Sequence, residues 1–150
     1  MEPSQQIDQN TLQKSGLLRR VAAAFYDSLL LLALWMIGTI PIVIVRGGQA
    51  VPAGDGLYIF YLLAIAGLFF GGFWTHGGQT LGMRAWRIQL LSNDGQPVTW
   101  KRAIIRFAAA LLSWASFGLG FLWQWVDRDN MTWHDRLSGT VLVKRPKSWG

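Results

Sequence analysis

Three long apolar stretches constrain the fold of this 150-residue chain more than any other feature. The windows 28–45, 57–74 and 107–126 contain no lysine or arginine, and the first two are each 18 residues without any charge. Roughly 20 apolar residues are needed for a helix to cross a hydrocarbon core of about 30 Å. A soluble domain of this size could not bury so much apolar surface, so we predict an all-α membrane protein.

The distribution of basic residues indicates how the chain crosses the membrane. Lysine and arginine number three before the first stretch, one in the loop 46–56, five in 75–106 and five in 127–150. Basic segments are retained in the cytoplasm, so only the loop 46–56 is expected outside. Three full crossings cannot put the other three regions on one side. We therefore predict two transmembrane helices, a cytoplasmic N-terminus and a third hydrophobic segment that is broken or re-entrant.

The third segment carries its own signal for a break. Arg106 is the only charge between Ala103 and Val126, but the small and flexible residues of "SWASFGLG", 113–120, interrupt the helical pattern. Irregular backbone at membrane depth is tolerated where protein or trapped water satisfies its polar groups. A plain third crossing stays open as the alternative.

The polar stretch between the second and third apolar segments has a different periodicity. Apolar residues alternate with polar ones from Trp86 to Leu90, and Asp94-Gly95 is a turn signal. We predict a hairpin whose return strand covers 96–100, and a further strand over 139–145 that pairs with 84–91. Together these strands are expected to form a small cytoplasmic β cap.

The ends of the chain and its charge complete the domain outline. Residues 1–16 are predicted to be a mobile polar tail, 17–145 the membrane domain and 146–150 a short basic tail.

A net charge of +6 is also typical of nucleic-acid-binding proteins. However, the basic residues flank the apolar segments as a collar at the lipid headgroups would, so we expect the lipid bilayer and no nucleic acid as partner.

Arg20 and Asp27 are the most informative charges because they lie at the start of the first apolar helix. They are seven positions apart, about two turns, so they share a face, and Asp27 lies roughly 10 Å deeper. An ionised group at membrane centre costs about 2.5 to 3.5 kcal/mol and is expected to face a partner inside the bundle. Asp27 then either binds and releases H⁺ or a cation, or forms a buried clasp with an arginine.

Further ionisable residues fall in segments expected on the same side of the membrane, among them Arg84, Arg106, His134 and Asp135. His134 and Asp135 are predicted to form a hydrogen-bonded pair. Two distant histidines and no cysteine give no metal-ligand spacing, so neither metal nor cofactor is expected. Without a nucleophile elbow, phosphate loop or metalloprotease helix motif, we expect no enzyme activity.

Three motifs in this order resemble one known family. "RRVAAAFYD", then "GGQTLGMRAWRIQLLSNDGQPVTWKRAIIR", then "HDRLSGTVLV" are similar to the RDD family of small integral membrane proteins, named for one arginine and two aspartates. The resemblance implies that Arg20 is the family arginine and that Asp27 and Asp135 are its aspartates. Gln79 and Thr80 match the stretch after the second span, and Met83 stands where a lysine is common.

The resemblance also implies a location and a range of functions. It places the chain in the bacterial inner membrane as a multi-pass protein that transports ions such as H⁺ or Na⁺, or a small solute. Because one chain encloses little volume, a homo-oligomer or a partner membrane protein is expected. The alternative is a scaffold or assembly subunit without transport, in which the arginine and aspartate residues are structural.

Overall fold

A computed structural model describes residues 13–145 of the chain. The predicted tail 146–150 and residues 1–12 of the predicted N-terminal tail lie outside this range. Within it the chain forms six helices and two strands, in the order α1 (Leu17–Val45), α2 (Gly56–Thr75), α3 (Leu81–Ala85), β1 (Ile88–Ser92), α4 (Trp100–Ala115), α5 (Leu119–Val126), α6 (Trp133–Ser138) and β2 (Thr140–Lys144).

Helices α1 and α2 are long and apolar enough to cross a membrane, as predicted. Large apolar side chains such as Met36 and Ile44 remain exposed on α1, which suits a surface that faces lipid. Hydrogen bonds tie the two helices together: Trp35 Nε1 donates to Leu62 O at 2.9 Å, and the Tyr61 hydroxyl donates to Gly38 O at 3.0 Å.

The third apolar segment is broken, as the flexible residues of 113–120 predicted. Helix α4 ends at Ala115 and α5 begins at Leu119, with the two axes bent by 96°. The turn uses left-handed backbone at Phe117 and Gly118, with φ of 55° and 80°. The Gly118 amide donates to Ser113 O at 2.8 Å and closes the end of α4. If the bent pair is counted as one span, the chain has three membrane segments and otherwise two.

Strands β1 and β2 form the small sheet, which confirms the predicted pairing of 84–91 with 139–145. They are antiparallel, with Ile88 opposite Lys144 and Ser92 opposite Thr140. The predicted return strand over 96–100 is wrong, because the Thr99 side chain caps α4 by accepting from the Arg102 amide and so starts a helix there.

The N-terminal residues 13–15 lie against the other edge of β2. The Ser15 amide donates to Leu142 O at 2.9 Å, and the Lys144 amide donates to Gln13 O at 2.8 Å. Ser15 is 1% exposed. The last residues of the predicted mobile tail are therefore held in the cap, because β2 offers them a free edge of backbone groups.

A compact apolar cluster lies between the sheet and the helices. Its buried members come from α1 to α4, from both strands and from the loop before α4: Ala23, Trp74, Met83, Ile88, Leu90, Val98, Ala103 and Leu142. The cluster fixes the start of α1 and the start of α4 against the cap, and the charged residues lie beside it.

Candidate functional site

Asp135 is held by two arginines at the junction of the helices and the cap. Its Oδ2 accepts from Arg20 Nη1 at 2.5 Å, and its Oδ1 accepts from Arg106 Nη1 at 2.7 Å. All three side chains are buried, with at most 4% of any residue exposed. The structure thus brings together three of the four predicted site residues as one ionic cluster.

The local sequence around α6 determines where Asp135 lies. Thr132 and Asp135 form a capping box, in which each side chain accepts from the backbone amide of the other. Burial alone would raise the pKa of Asp135, but the charges of Arg106 and Arg20 outweigh burial and hold its pKa well below the ordinary value. Asp135 is therefore an anion at neutral pH.

Each arginine has a second anchor besides Asp135. Arg20 Nε donates to the carbonyl and the hydroxyl of Ser15 at 3.1 and 3.0 Å. Arg106 Nη1 also donates to Thr140 Oγ1 at 2.9 Å. The cluster consequently joins the N-terminal arm, α1, α4, α6 and β2.

Asp27 lies deeper along α1 and has different partners. Its Oδ2 accepts from the Thr80 hydroxyl at 2.5 Å, and its Oδ1 accepts from the Gly82 amide at 2.9 Å. Thr80 is the N-cap of α3, so the first turn of this short helix presents both donors to the carboxyl group. Asp27 is 2% exposed, and the Thr80 hydroxyl and the Gly82 amide are both neutral donors.

The structure gives Arg20 and Asp27 separate partners, so the alternative of a buried clasp between Asp27 and an arginine is not found among the described residues. The two residues share the buried face of α1, as their spacing predicted, but Arg20 bonds to Asp135 and Asp27 bonds to Thr80 and Gly82. Residues in α1 seven apart remain about 10 Å apart along the axis, and the cap and α3 supply nearer partners for each.

Gly82 is required for the close approach of α3 to α1. A methyl group at this position would meet the carbonyl oxygen of Ala23 and lie 2.9 Å from Asp27 Cγ. The absence of a side chain thus allows the amide to reach the Asp27 carboxyl group.

Two secondary candidates lie elsewhere. Arg84 is exposed on α3. Gln79 is buried but anchors β1, since its Nε2 donates to Ile88 O at 2.7 Å and its Oε1 accepts from Arg145 at 3.0 Å.

His134 is buried beside the ionic cluster, but the predicted hydrogen bond to Asp135 is replaced by stacking. Its ring lies 4.8 Å from that of Phe121, edge to face, and its Nδ1 has no hydrogen-bond partner among the described residues. Burial, followed by the charge of Arg106, lowers the pKa of His134 to about 3. The imidazole is therefore neutral at physiological pH.

A cavity of about 300 Å³ lies between α1, α2 and α4, and Asp27 lines it. Asp27 and the two arginines of the ionic cluster line it together with His134, and the remaining walls are mainly apolar. Trp74 also lines it, with the Arg106 guanidinium 5.4 Å from its ring centroid. Within residues 13–145 no group of three or more His, Asp or Glu residues is placed to hold a metal ion.

Comparison with known proteins identifies the family. The RDD family model matches residues 14–139, most of the chain. The chain belongs to the RDD family. Curated proteins and solved structures gave no significant match.

Several residues of the site in this RDD protein were missed from the sequence. Thr140 and Ser15 supply hydrogen bonds to the arginines, and Trp74 lines the cavity. One signal was available: the run "TWHD", 132–135, is a capping-box pattern that predicts a helix from Trp133 and an anchored Asp135. Ser15 and Thr140 carry no comparable local signal, because their role depends on the pairing at both edges of β2.

Proposed function

We propose that this RDD protein transports a small solute or ion across the bacterial inner membrane, with Asp27 as the group that takes up and releases a proton. The observation that carries the proposal is the position of Asp27: among the described residues it is the one carboxyl group that lines the cavity between the helices. Ionisable residues placed among membrane helices commonly serve as proton relays.

The partners of Asp27 support this role. Thr80 and Gly82 are neutral donors, so protonation of Asp27 leaves no buried cation without its counterion. Protonation of Asp135 would leave Arg20 and Arg106 unpaired in a buried region, which is costly. Of the two acids, Asp27 is thus the better suited to change its protonation state.

We propose a cytoplasmic cap and a re-entrant α4–α5 segment as the topology. Backbone hydrogen bonds join residues 13–15 to β2 and β2 to β1. This supports placing three segments on one side of the membrane: the arm before α1, the strand after α2 and the strand after α5. The 96° bend supports entry and exit on one side. The counts of basic residues favour the cytoplasm for this side.

We further propose that the transport pathway is completed by a second copy of the chain. Two crossing helices and a bent segment enclose little volume, with a cavity of about 300 Å³ between them. Cross-linking of the purified protein in vesicles tests this: a ladder that ends at one defined oligomer is expected, and only monomer would contradict it.

The test of transport is proton movement into reconstituted vesicles that contain a pH-sensitive dye. An imposed pH gradient should decay faster with the protein than without it, in the presence of Na⁺, K⁺ or a candidate solute. Asp27→Asn should abolish the acceleration while the protein remains folded. Asp55→Asn is the matched control, because Asp55 caps α2 at the opposite end and asparagine also caps helices. Unchanged decay with Asp27→Asn would reject the proposal.

A scaffold without transport is the second candidate, and the ionic cluster favours it. Asp135 and its two arginines join five parts of the structure and are buried, which is what a purely structural network requires. Purification of the native complex discriminates the candidates: a stoichiometric foreign subunit favours the scaffold, and a homo-oligomer favours the transporter.

A further inference from the structure

We propose that the cavity between α1, α2 and α4 binds a single-chain amphiphile whose headgroup is a small oxyanion. This inference rests on the proposed function, since it names the class of solute for the same cavity. It is carried by two features of the cavity: its charged end and its elongated apolar walls.

The charged end contains polar atoms that the protein leaves unsatisfied. Four buried residues that line the cavity each carry a side-chain nitrogen without a hydrogen-bond partner among the described residues: Arg20 Nη2, Trp74 Nε1, Arg106 Nε and His134 Nδ1. Each of these residues is at most 6% exposed. Buried polar atoms are nearly always paired, so unpaired ones beside a cavity indicate a ligand that supplies the partners.

These four residues are close to one another. Both arginines bond to Asp135, the Trp74 ring lies under the Arg106 guanidinium, and His134 precedes Asp135 in α6. Three of the four nitrogens can only donate, because arginine and the tryptophan indole have no acceptor. The ligand must therefore present acceptors at this end.

The charge at this end favours an anion over a neutral acceptor. Two arginines share the single charge of Asp135, which leaves one positive charge. Asp27 lines the cavity as well, but it lies about 10 Å further along α1 than Arg20 and accepts from Thr80 and Gly82 there. Arginine binds phosphate and carboxylate groups through paired N–H donors, and such charge-assisted bonds are the strong ones.

The remaining walls suit an alkyl chain. The residues of α1 that line the cavity form one stripe from Arg20 to Trp35, which spans roughly 22 Å of helix. Beyond Asp27 the opposite walls are apolar and include Leu63, Ala66 and Ala110. A volume of about 300 Å³ spread along this stripe makes the cavity long and narrow. One chain fits this shape better than a compact solute or a two-chain lipid.

The test measures equilibrium binding of radiolabelled decyl phosphate to the full-length protein in nanodiscs, with empty nanodiscs as background. We expect saturable binding that unlabelled decyl phosphate displaces, and for which decanol and decyltrimethylammonium compete at least about tenfold less well. Binding without saturation, or equal competition by decanol, would overturn the proposed ligand class.

Two variants and one matched control locate the binding without replacing a residue of the ionic cluster. Ala110→Phe fills the apolar wall of the cavity and should weaken binding at least about tenfold. Ala108→Phe is the matched control: it adds the same ring at an exposed position of the same helix and should leave binding unchanged.

Trp74→Phe removes one donor at the charged end and should weaken binding roughly tenfold. Equal affinity for all three variants and the original protein would overturn the site.

A vesicle measurement separates this inference from the proposed function. Saturable decyl phosphate binding without proton-coupled uptake would overturn transport and support the ligand class. Proton-coupled transport of another solute that decyl phosphate does not inhibit would support transport and overturn the ligand class.

Discussion

Two buried aspartates, Asp135 and Asp27, have different kinds of hydrogen-bond partner. Asp135 lies between two arginines at 2.5 and 2.7 Å, whereas Asp27 accepts from a hydroxyl and a backbone amide. Both residues are at most 2% exposed. The same side chain therefore acts as a fixed counterion in the cap region and as a hydrogen-bonded acid in the wall of the cavity.

The difference matters because the two sites respond differently to loss of charge. Removing one partner from a buried ion pair leaves an uncompensated charge, while removing the charge from a carboxyl group bonded to neutral donors does not. We therefore expect the ionic cluster around Asp135 to contribute mainly to stability. Asp27 is then available for the proton transfer that we propose, and the following variants test this separation.

The largest effect is expected from Asp135→Asn, which removes the charge that Arg20 and Arg106 share. We expect the free energy of unfolding to fall by about 3 to 5 kcal/mol. Thermal unfolding in nanodiscs, followed by tryptophan fluorescence, measures the change. Asp129→Asn is the control: Asp129 is 59% exposed and pairs with Arg136 at the surface, so little change is expected. Equal shifts for both variants would contradict the structural role of the cluster.

The next effect is the pH dependence of the free energy of unfolding that His134 causes beside the same cluster. Its pKa is about 3 in the folded protein, against an ordinary value near 6.5 in an unfolded chain. As pH falls below about 6.5, the unfolded state binds a proton that the folded state rejects. The contribution of His134 is therefore present above this pH and is lost on acidification, at about 1.4 kcal/mol per pH unit.

Thermal unfolding between pH 6.5 and 4.5 measures this slope, and the expected loss is roughly 2 to 3 kcal/mol. Asp135 contributes little to the slope in this window. Because its pKa is lowered in the folded protein, its contribution to stability is lost only below about pH 3.8, its ordinary pKa. His134→Asn should flatten the slope, and the same change at exposed His76 should leave it unaltered. A steep slope that persists in His134→Asn would assign it to another group.

Gly82→Ala tests the other side of the comparison, the contact between α3 and Asp27. The added methyl group would meet Ala23 O and the Asp27 carboxyl group, so α3 must move away from α1. We expect a loss of about 1 to 3 kcal/mol, measured by the same unfolding experiment. Gly72→Ala in α2 meets no atom within 4 Å and should be neutral or slightly stabilising. Equal behaviour of the two variants would show that α3 does not depend on a close approach.

The elements that the sequence predicts well are those defined by local pattern. The uncharged runs from 28 to 45 and from 57 to 74 determine α1 and α2 by themselves, and the flexible residues of 113–120 mark the break before α5. The predicted pairing of 84–91 with 139–145 is confirmed because alternation and topology agree on it. The return strand failed because Thr99, a good N-cap, starts α4 where the alternation suggested a strand.

The site was less predictable because its contacts join distant parts of the chain. Arg20 and Asp27 could be chosen from their depth in an apolar helix, but their partners are 115 and 53 positions away. Their spacing predicted that they share a face of α1, but it identified no partner for either residue. The cap brings Asp135 to Arg20, and the N-terminus of α3 brings Thr80 and Gly82 to Asp27. These placements are tertiary, and no local spacing encodes them.

Asp27→Asn is expected to have the smallest effect on stability and therefore gives the sharpest comparison with Asp135. Asparagine keeps an oxygen that can accept from the Gly82 amide, and its amide group can donate to the Thr80 hydroxyl after that hydroxyl turns. About one hydrogen bond is weakened, which corresponds to a loss of about 1 kcal/mol. Unfolding in nanodiscs should thus show a shift less than half of that for Asp135→Asn.

A loss for Asp27→Asn as large as that for Asp135→Asn would remove the distinction between the two acids. Asp27 would then be a second structural anchor, and the scaffold would become the better proposal. A small loss together with abolished proton movement would separate stability from function at one residue. Thr80→Val extends the comparison, because it removes the hydroxyl donor and keeps the shape of the side chain. It should lower stability by about 1 to 3 kcal/mol by leaving one Asp27 oxygen without its partner.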